Sequence, residues 1–167
     1  GWACNSSVTI ASNAGMGAAY SADNGATWIL STLPANAAYS AYGNGVFVVT
    51  DSVTDDVYTS DDGVSWTTNT GPTLTSPGSS YLLFNGTEFV LIDGGSSSFF
   101  TSIDGVDWTS HTDTSGATKG PTAVGNGTVI MVNFSNSNCA TYAPPVDVPT
   151  LVSSVAIGNY DFAQSPL

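Results

Sequence analysis

The sequence predicts an all-β fold of about four antiparallel four-stranded sheets, and three observations lead there. Asx-Gly dipeptides recur at Asn24-Gly25, Asn44-Gly45, Asp62-Gly63, Asn85-Gly86, Asp104-Gly105 and Asn126-Gly127, with the glycines 20, 18, 23, 19 and 22 residues apart. The segments between them are rich in the β-branched and aromatic residues that suit a pleated surface. No window carries apolar residues at the three- and four-residue spacing of a helix, so almost no α-helix is expected.

An Asx-Gly pair between two such segments signals a hairpin, because both residues tolerate the positive φ of a type I′ turn. Two kinds of hairpin alternate, one leading AAYSAYGNG into VFVVT, the other DVYTSDDG into VSWTT. One of each makes a four-stranded unit. The second unit runs AAYSAYGNG, VFVVTDS, DDVYTSDDG, VSWTTNT, and the third SSYLLFNG, TEFVLIDG, SSSFFTSIDG, VDWTSHT. A fourth opens with GPTAVGNG and TVIMVNF, then decays through NSNCATYAPP without a tryptophan turn. The first is expected to lack its opening strand and to begin at SVTIAS. Pro-, Gly- and Ser-rich stretches such as STLPANA, NTGPTLTSPGS and DTSGATKGP link the units.

Residues 1–144 therefore read as the repeat domain, and 145–167 as a closing strand or arm of the same unit. Within that segment TLVSSVAIGN, 150–159, has the character of the strand the first unit is missing. It is expected to complete that unit and close a ring, or to pair with a neighbour's open edge. Cys4 and Cys139 sit near opposite ends of the repeat domain, which predicts one disulfide tying the termini, against the alternative of two free thiols.

Composition excludes several classes of partner. Thirteen acids face one base, Lys119, and the formal charge is −12. Nucleic-acid binding needs Lys and Arg on phosphates, and adhesion to anionic lipid needs a polybasic segment, so neither is expected. No apolar run approaches the length of a membrane span. With 41% apolar and 8% charged residues the chain can bury a core, and its surface must be polar through Ser, Thr, Asn and Gly.

The tryptophan turn appears three times, as SADNGATW (21–28), TSDDGVSW (59–66) and TSIDGVDW (101–108). Ser21, Thr59 and Thr101 are expected to bond the turn backbone, Asp23 and Asp61 to accept its N–H groups, and Gly25, Gly63 and Gly105 to supply positive φ. The third copy has Ile103 where the aspartate belongs and must lean on Asp104. Trp28, Trp66 and Trp108 then cover the turns. This pattern resembles the Asp-box of bacterial-neuraminidase-type repeats found in sialidases and other β-propellers, and the wider unit resembles repeats of phage tail-fibre and other virion surface proteins. The resemblance implies a small β-propeller-like array and a virion-surface or extracellular location. It implies little about activity, because one fold hosts many functions.

The candidate chemistry is sparse. Asp51, Asp55 and Asp56 could offer hard oxygen ligands to Ca²⁺, although the D-x-[DN]-x-[DN]-G loop is missing, and no other cofactor is expected. Sialidases clamp their substrate with an arginine triad, and this chain has no arginine. Glu88, the only glutamate, reads as an outward strand residue without a carboxyl partner, and His111, the only histidine, as an exposed strand-end residue. The N-x-S/T sites at Asn5, Asn85, Asn126 and Asn133 read as turn chemistry first. The expectation is a non-enzymatic structural or binding module, with a glycan-binding adhesion module and a degenerate sialidase-like glycoside hydrolase as the alternatives. Its partners would be other protein subunits of an assembly, with cell-surface glycans as the second class, met by loops 50–56, 93–98 and 133–138 on the rim opposite the turns.

Overall fold

The computed structural model describes residues 1–112, 119–133, 138–144 and 150–156. Among these described residues sixteen strands form four antiparallel sheets, each of four strands consecutive in the chain. Sheet one holds β1 (Trp2–Cys4), β2 (Thr9–Asn13), β3 (Gly17–Ser21) and β4 (Ile29–Leu30). Sheet two holds β5 (Ala37–Gly43), β6 (Val46–Asp51), β7 (Asp56–Ser60) and β8 (Thr67–Thr70). Sheet three holds β9 (Tyr81–Phe84), β10 (Phe89–Ile92), β11 (Ser98–Ser102) and β12 (Thr109–Thr112), and sheet four β13 (Lys119–Gly125), β14 (Thr128–Asn133), β15 (Asn138–Ala143) and β16 (Thr150–Ala156). One 3-10 turn, Pro77–Ser79, is the only helical element among the described residues.

First strands of successive sheets lie side by side, β1 with β5, β5 with β9, and β9 with β13. They line the axis, fourth strands form the periphery, and the sheets are the four blades of a β-propeller.

The blades pack face to face because strand alternation gives every inner blade two apolar faces. Ala3 and Ile10 of blade one meet Phe47, Val49 and Tyr58 of blade two. Val48 and Val57, on blade two's other face, meet Phe89 of blade three. Val90, Ile92 and Phe99 then meet Val129, Met131 and Tyr142 of blade four. Strand β10 is buried at every residue since both its faces are covered, whereas peripheral β8 and β12 read TTNT and TSHT and are mostly exposed. Truncating one of these fully buried phenylalanines to alanine would cost about 3–5 kcal/mol.

The structure corrects the expected ends of the array. Blade one has its opening strand, Trp2–Cys4, paired with β2. The segment Thr150–Ala156 pairs with β15 as the fourth strand of blade four, so it does not complete blade one. Both cysteines are free, Cys4 exposed and Cys139 half-buried, because one belongs to the first blade and the other to the last. Residues 113–118 of the link before blade four, 134–137 of the expected 133–138 loop, 145–149, and the tail 157–167 lie outside the described residues.

Candidate functional site

Each of the first three blades joins its third and fourth strands by an aspartate-held turn. In the first, the Ser21 hydroxyl donates to Asp23 (2.8 Å) and accepts the Gly25 N–H (2.8 Å). Asp23 accepts the Thr27 N–H (2.8 Å), and the Trp28 indole N–H caps the Gly25 carbonyl (3.2 Å). The second turn uses Ser60, which donates to Asp62 (2.9 Å) and accepts the Gly63 N–H (2.8 Å), while Asp62 accepts the Val64 and Ser65 N–H groups at 2.8 Å. The third repeats this with Ser102, Asp104, Gly105, Val106 and Asp107, and Trp108 caps the Gly105 carbonyl at 3.2 Å.

The expected roles of Thr59, Asp61 and Thr101 are therefore corrected by one residue. The second and third turns read S-x-D-G-x-x-W, one residue shorter than the first, which holds an extra Asn24 at φ 58. Thr59 instead accepts a bond from Asn69, Thr101 faces His111, and the Asp61 side chain is exposed. Asp104, the only aspartate between Ser102 and Gly105, carried the signal: aligning the second copy on it moves the role to Asp62. Bonds from Thr27 hold the Asp23 carboxyl down to about 2, and the Ser65 and Val64 N–H groups hold Asp62 there too. The Val106 N–H lowers Asp104 against the opposing effect of its partial burial.

Each of the later two turns is also wedged against the preceding blade. A Cβ on Gly63 (φ 73) would stand 3.0 Å from Val8 and 3.1 Å from Ile10 of blade one, and a Cβ on Gly105 (φ 79) 2.5 Å from Val48 of blade two. Trp66 and Trp108 pack on the interfaces with blades one and two. The Trp66 indole N–H is buried without a partner, unlike its two counterparts. Between the second and third turns lies a cleft of about 470 Å³ lined by Thr59, Asp61, Asp62, Asp104 and Val106. Its carboxylates disfavour an anionic ligand.

On the opposite rim a second set of carboxylates ties loops to links. Asp51, buried, accepts the Val53 and Thr54 N–H groups at 2.7 and 3.0 Å and the Tyr58 hydroxyl at 3.0 Å. Asp93 holds the matching place in blade three. It accepts the Thr75, Ser76 and Gly95 N–H groups and the Ser96 hydroxyl. Burial works to raise its pKa, but the bonds led by the Thr75 N–H lower it. Asp55 accepts the Leu74 N–H, and Asp56 the Thr54 hydroxyl. The result is a tied ledge of loop 51–56, link 71–80 and loop 93–98, with Val53 exposed (66%). Asp51, Asp55 and Asp56 do not converge as Ca²⁺ ligands: among the described residues no three His, Cys, Asp or Glu side chains gather, and Asp51 faces its own loop.

One polar cluster lies between blades three and four, where the sequence pointed to none. The buried Tyr142 phenol donates to Glu88 (2.6 Å) and bonds Thr101. Thr101 lies 3.0 Å from His111 Nε2, and the imidazole stacks on Phe99 at 4.8 Å. Burial lowers the His111 pKa, with Glu88 acting the other way, and burial together with the Glu88 bond raises Tyr142. Glu88 is thus paired and His111 half-buried, correcting the outward and exposed readings. Tyr142 lies 54 residues beyond Glu88, in the unit with the weakest repeat signal, so no local pattern linked them. Of the N-x-S/T sites, Asn5 and Asn85 fold their side chains onto their own turns, and Asn126 has positive φ.

No family model matches the chain, and no curated protein does. Solved structures do. A chain described as YCF48 bound to D1 peptide aligns with TM-score 0.71 and 12% identity over 96% of this chain and 53% of that one. A nidogen/laminin complex aligns with TM-score 0.67 and 10% identity over 94% and 63%. The computationally designed Ika8 protein aligns with TM-score 0.64 and 9% identity over 93% and 48%. At these identities the likeness is one of fold. The chain spans about half to two thirds of the length of these structures.

Proposed function

We propose that the chain is a non-enzymatic structural or binding module of a virion or other extracellular surface, with other protein subunits as its partners. One observation carries the reading. Among the described residues the carboxylates of Asp23, Asp51, Asp62, Glu88, Asp93 and Asp104, the His111 imidazole and the Tyr58 and Tyr142 phenols are each committed to a turn, a loop or a blade interface, which leaves a stiff ledge. The Asp-box likeness of the turns and the phage-repeat likeness of the units support the location. Two of the fold neighbours are described with a peptide or a protein partner, which supports protein partners in general.

The ledge at 51–56 and 93–98 is the contact surface in this reading, since loops held by a rigid scaffold bind without paying for their own ordering. Surface assemblies containing the chain should hold it at fixed copy number, with cross-links from the ledge to neighbouring subunits that Val53→Glu weakens. Variable copy number, or cross-links confined to the turn rim, would refute it. Hits on a glycan array abolished by ledge substitutions would replace proteins with glycans as the partner. Turnover of a sialoside or other glycoside would overturn the non-enzymatic reading altogether.

A further inference from the structure

We infer that two copies of the chain close head to tail into one ring, the leading face of blade one docking on the trailing face of blade four of the second copy. The three internal interfaces supply the template. Some positions that bury an apolar side chain there carry apolar residues on the two outer faces and are not covered there: Ala11, at the place of the wholly buried Val49 and Leu91, is only half-buried.

On blade four the trailing position filled by Val48 and Val90 inside the stack, both wholly buried, is Ile130, and it is 40% exposed. On blade one, Trp2, Ala11, Ala19 and Leu30 form one cross-strand row. Its ends, Trp2 and Leu30, are 71% and 82% exposed. Trp28 follows the same rule. Its counterparts Trp66 and Trp108 lean on the blade before them, whereas Trp28, beyond its own turn, meets the Trp2 ring of its own blade at 5.9 Å and is 41% exposed.

Two glycines make the template specific. Gly43, in GNG at 43–45, has no room for a side chain because Phe84 of the next blade fills the space: a Cβ would stand 2.2 Å from its ring. The same triplet recurs as Gly125-Asn126-Gly127 in blade four, and at Gly125 nothing lies within 4 Å. Asn44 (φ 50) donates to the Thr87 and Ile103 carbonyls of the following blade at 2.9 and 3.0 Å. Asn126 holds the same backbone (φ 51). At the other end, Gly63 and Gly105 press on a preceding blade, while Gly25 (φ 88) meets only Trp28 at 3.9 Å.

A second copy, rather than another partner, fits for two reasons. The face missing in front of blade one is a trailing blade face, and the chain carries one, on blade four. The chain also aligns over 93% or more of its length with chains of which it covers 48 to 63%, as an arc of blades that continues into a larger ring would. Two such arcs joined through two equal heterologous contacts close. No carboxylate stands at the strand positions of either face, in a chain carrying thirteen acids. The net charge of −12 per copy still opposes approach, so added salt should strengthen the dimer.

Alignment of Asn5 with Asn85, whose side chains make the same turn bonds, makes Cys4 the counterpart of Phe84. Cys4 of one copy should then face Gly125 of the other. The test is light scattering of the chain over a range of concentration, joined to cross-linking of Gly125→Cys. The expected mass is twice the 17.0 kDa of one chain. Ala11→Glu and Ile130→Glu should each weaken the dimer by about 100-fold or more, by burying an unpaired carboxylate. Under oxidation Gly125→Cys should give a covalent dimer that Gly125→Cys with Cys4→Ser does not. A monomer at all concentrations, open-ended polymers, or no Cys4-dependent cross-link would overturn the inference. The wild-type mass stands whether or not the variants fold.

Discussion

Replacing Gly105 by alanine tests whether blade contact or turn geometry dominates the energetics of the repeated bend. Two costs apply. Gly105 has φ 79, and placing an L-residue in the left-handed region costs about 1–2 kcal/mol. The added methyl would also stand 2.5 Å from Val48 and 3.2 Å from Thr59 of the preceding blade, an overpacking worth about 1–3 kcal/mol. The sum, about 2–5 kcal/mol, is a large part of the stability of a domain this size. Gly45 is the control, since it has φ 86 and a methyl added there would meet nothing within 4 Å, so Gly45→Ala should lose only the conformational part. Urea unfolding of both variants, read as midpoint shifts at a common slope, gives the difference directly. Equal losses would refute the claim that Gly105 is required by the blade before it, as would a Gly105→Ala variant as stable as wild type.

Three further outcomes are expected. Ser60→Ala should cost about 1 kcal/mol by removing the acceptor of the Gly63 N–H, while Asp61→Asn stays within about 0.5 kcal/mol; denaturation midpoints in the reverse order would restore the longer form of the turn. Asp62 is depressed from 3.8 to about 2 by the Ser65 and Val64 N–H groups. In that window the unfolded chain binds the proton first, so the stability this carboxylate contributes is complete above pH 3.8 and drains as pH falls toward 2. The gap between wild type and Asp62→Asn should close over that range in unfolding measured at several pH values. Tyr142→Phe should cost about 1–3 kcal/mol by leaving Glu88 without its donor, and a double-mutant cycle with Glu88→Gln should show coupling between the two sites.

What is legible in the sequence divides along a physical line. Hairpins, blade number and the near absence of helix rest on local rules, and Asx-Gly turns between apolar runs carry those rules within a few residues. The turn chemistry is legible in kind but slips by one residue. Thr59 and Ser60 both carry hydroxyls and Asp61 and Asp62 both carry carboxyls, so only the shorter spacing in blades two and three separates them. The ends of the array are misjudged because strand pairing is nonlocal. Trp2–Cys4 is three residues long and gives no periodicity, and nothing in TLVSSVAIGN distinguishes pairing with β15 from pairing across a ring. Glu88 and Tyr142 meet only because blades three and four stack, a contact that no spacing encodes.

The three tryptophan turns show how the same local sequence acquires different energetic weight. Trp28 and Trp108 make the same indole-to-glycine bond, at 3.2 Å in both, yet Trp108 lies against the blade two to three core while Trp28 is 41% exposed. Trp66 makes no such bond and still packs on the core between blades one and two. The indole bond is therefore neither needed for burial nor sufficient for it. Burial follows from whether a blade stands in front, which makes stability here approximately a sum of intrinsic blade terms and nearest-neighbour interface terms. Within a single copy, before a ring closes, the outer blades are held by one interface each and the inner blades by two. Local opening of the monomer should therefore begin at blades one and four, with the amides of β6 and β10 exchanging last.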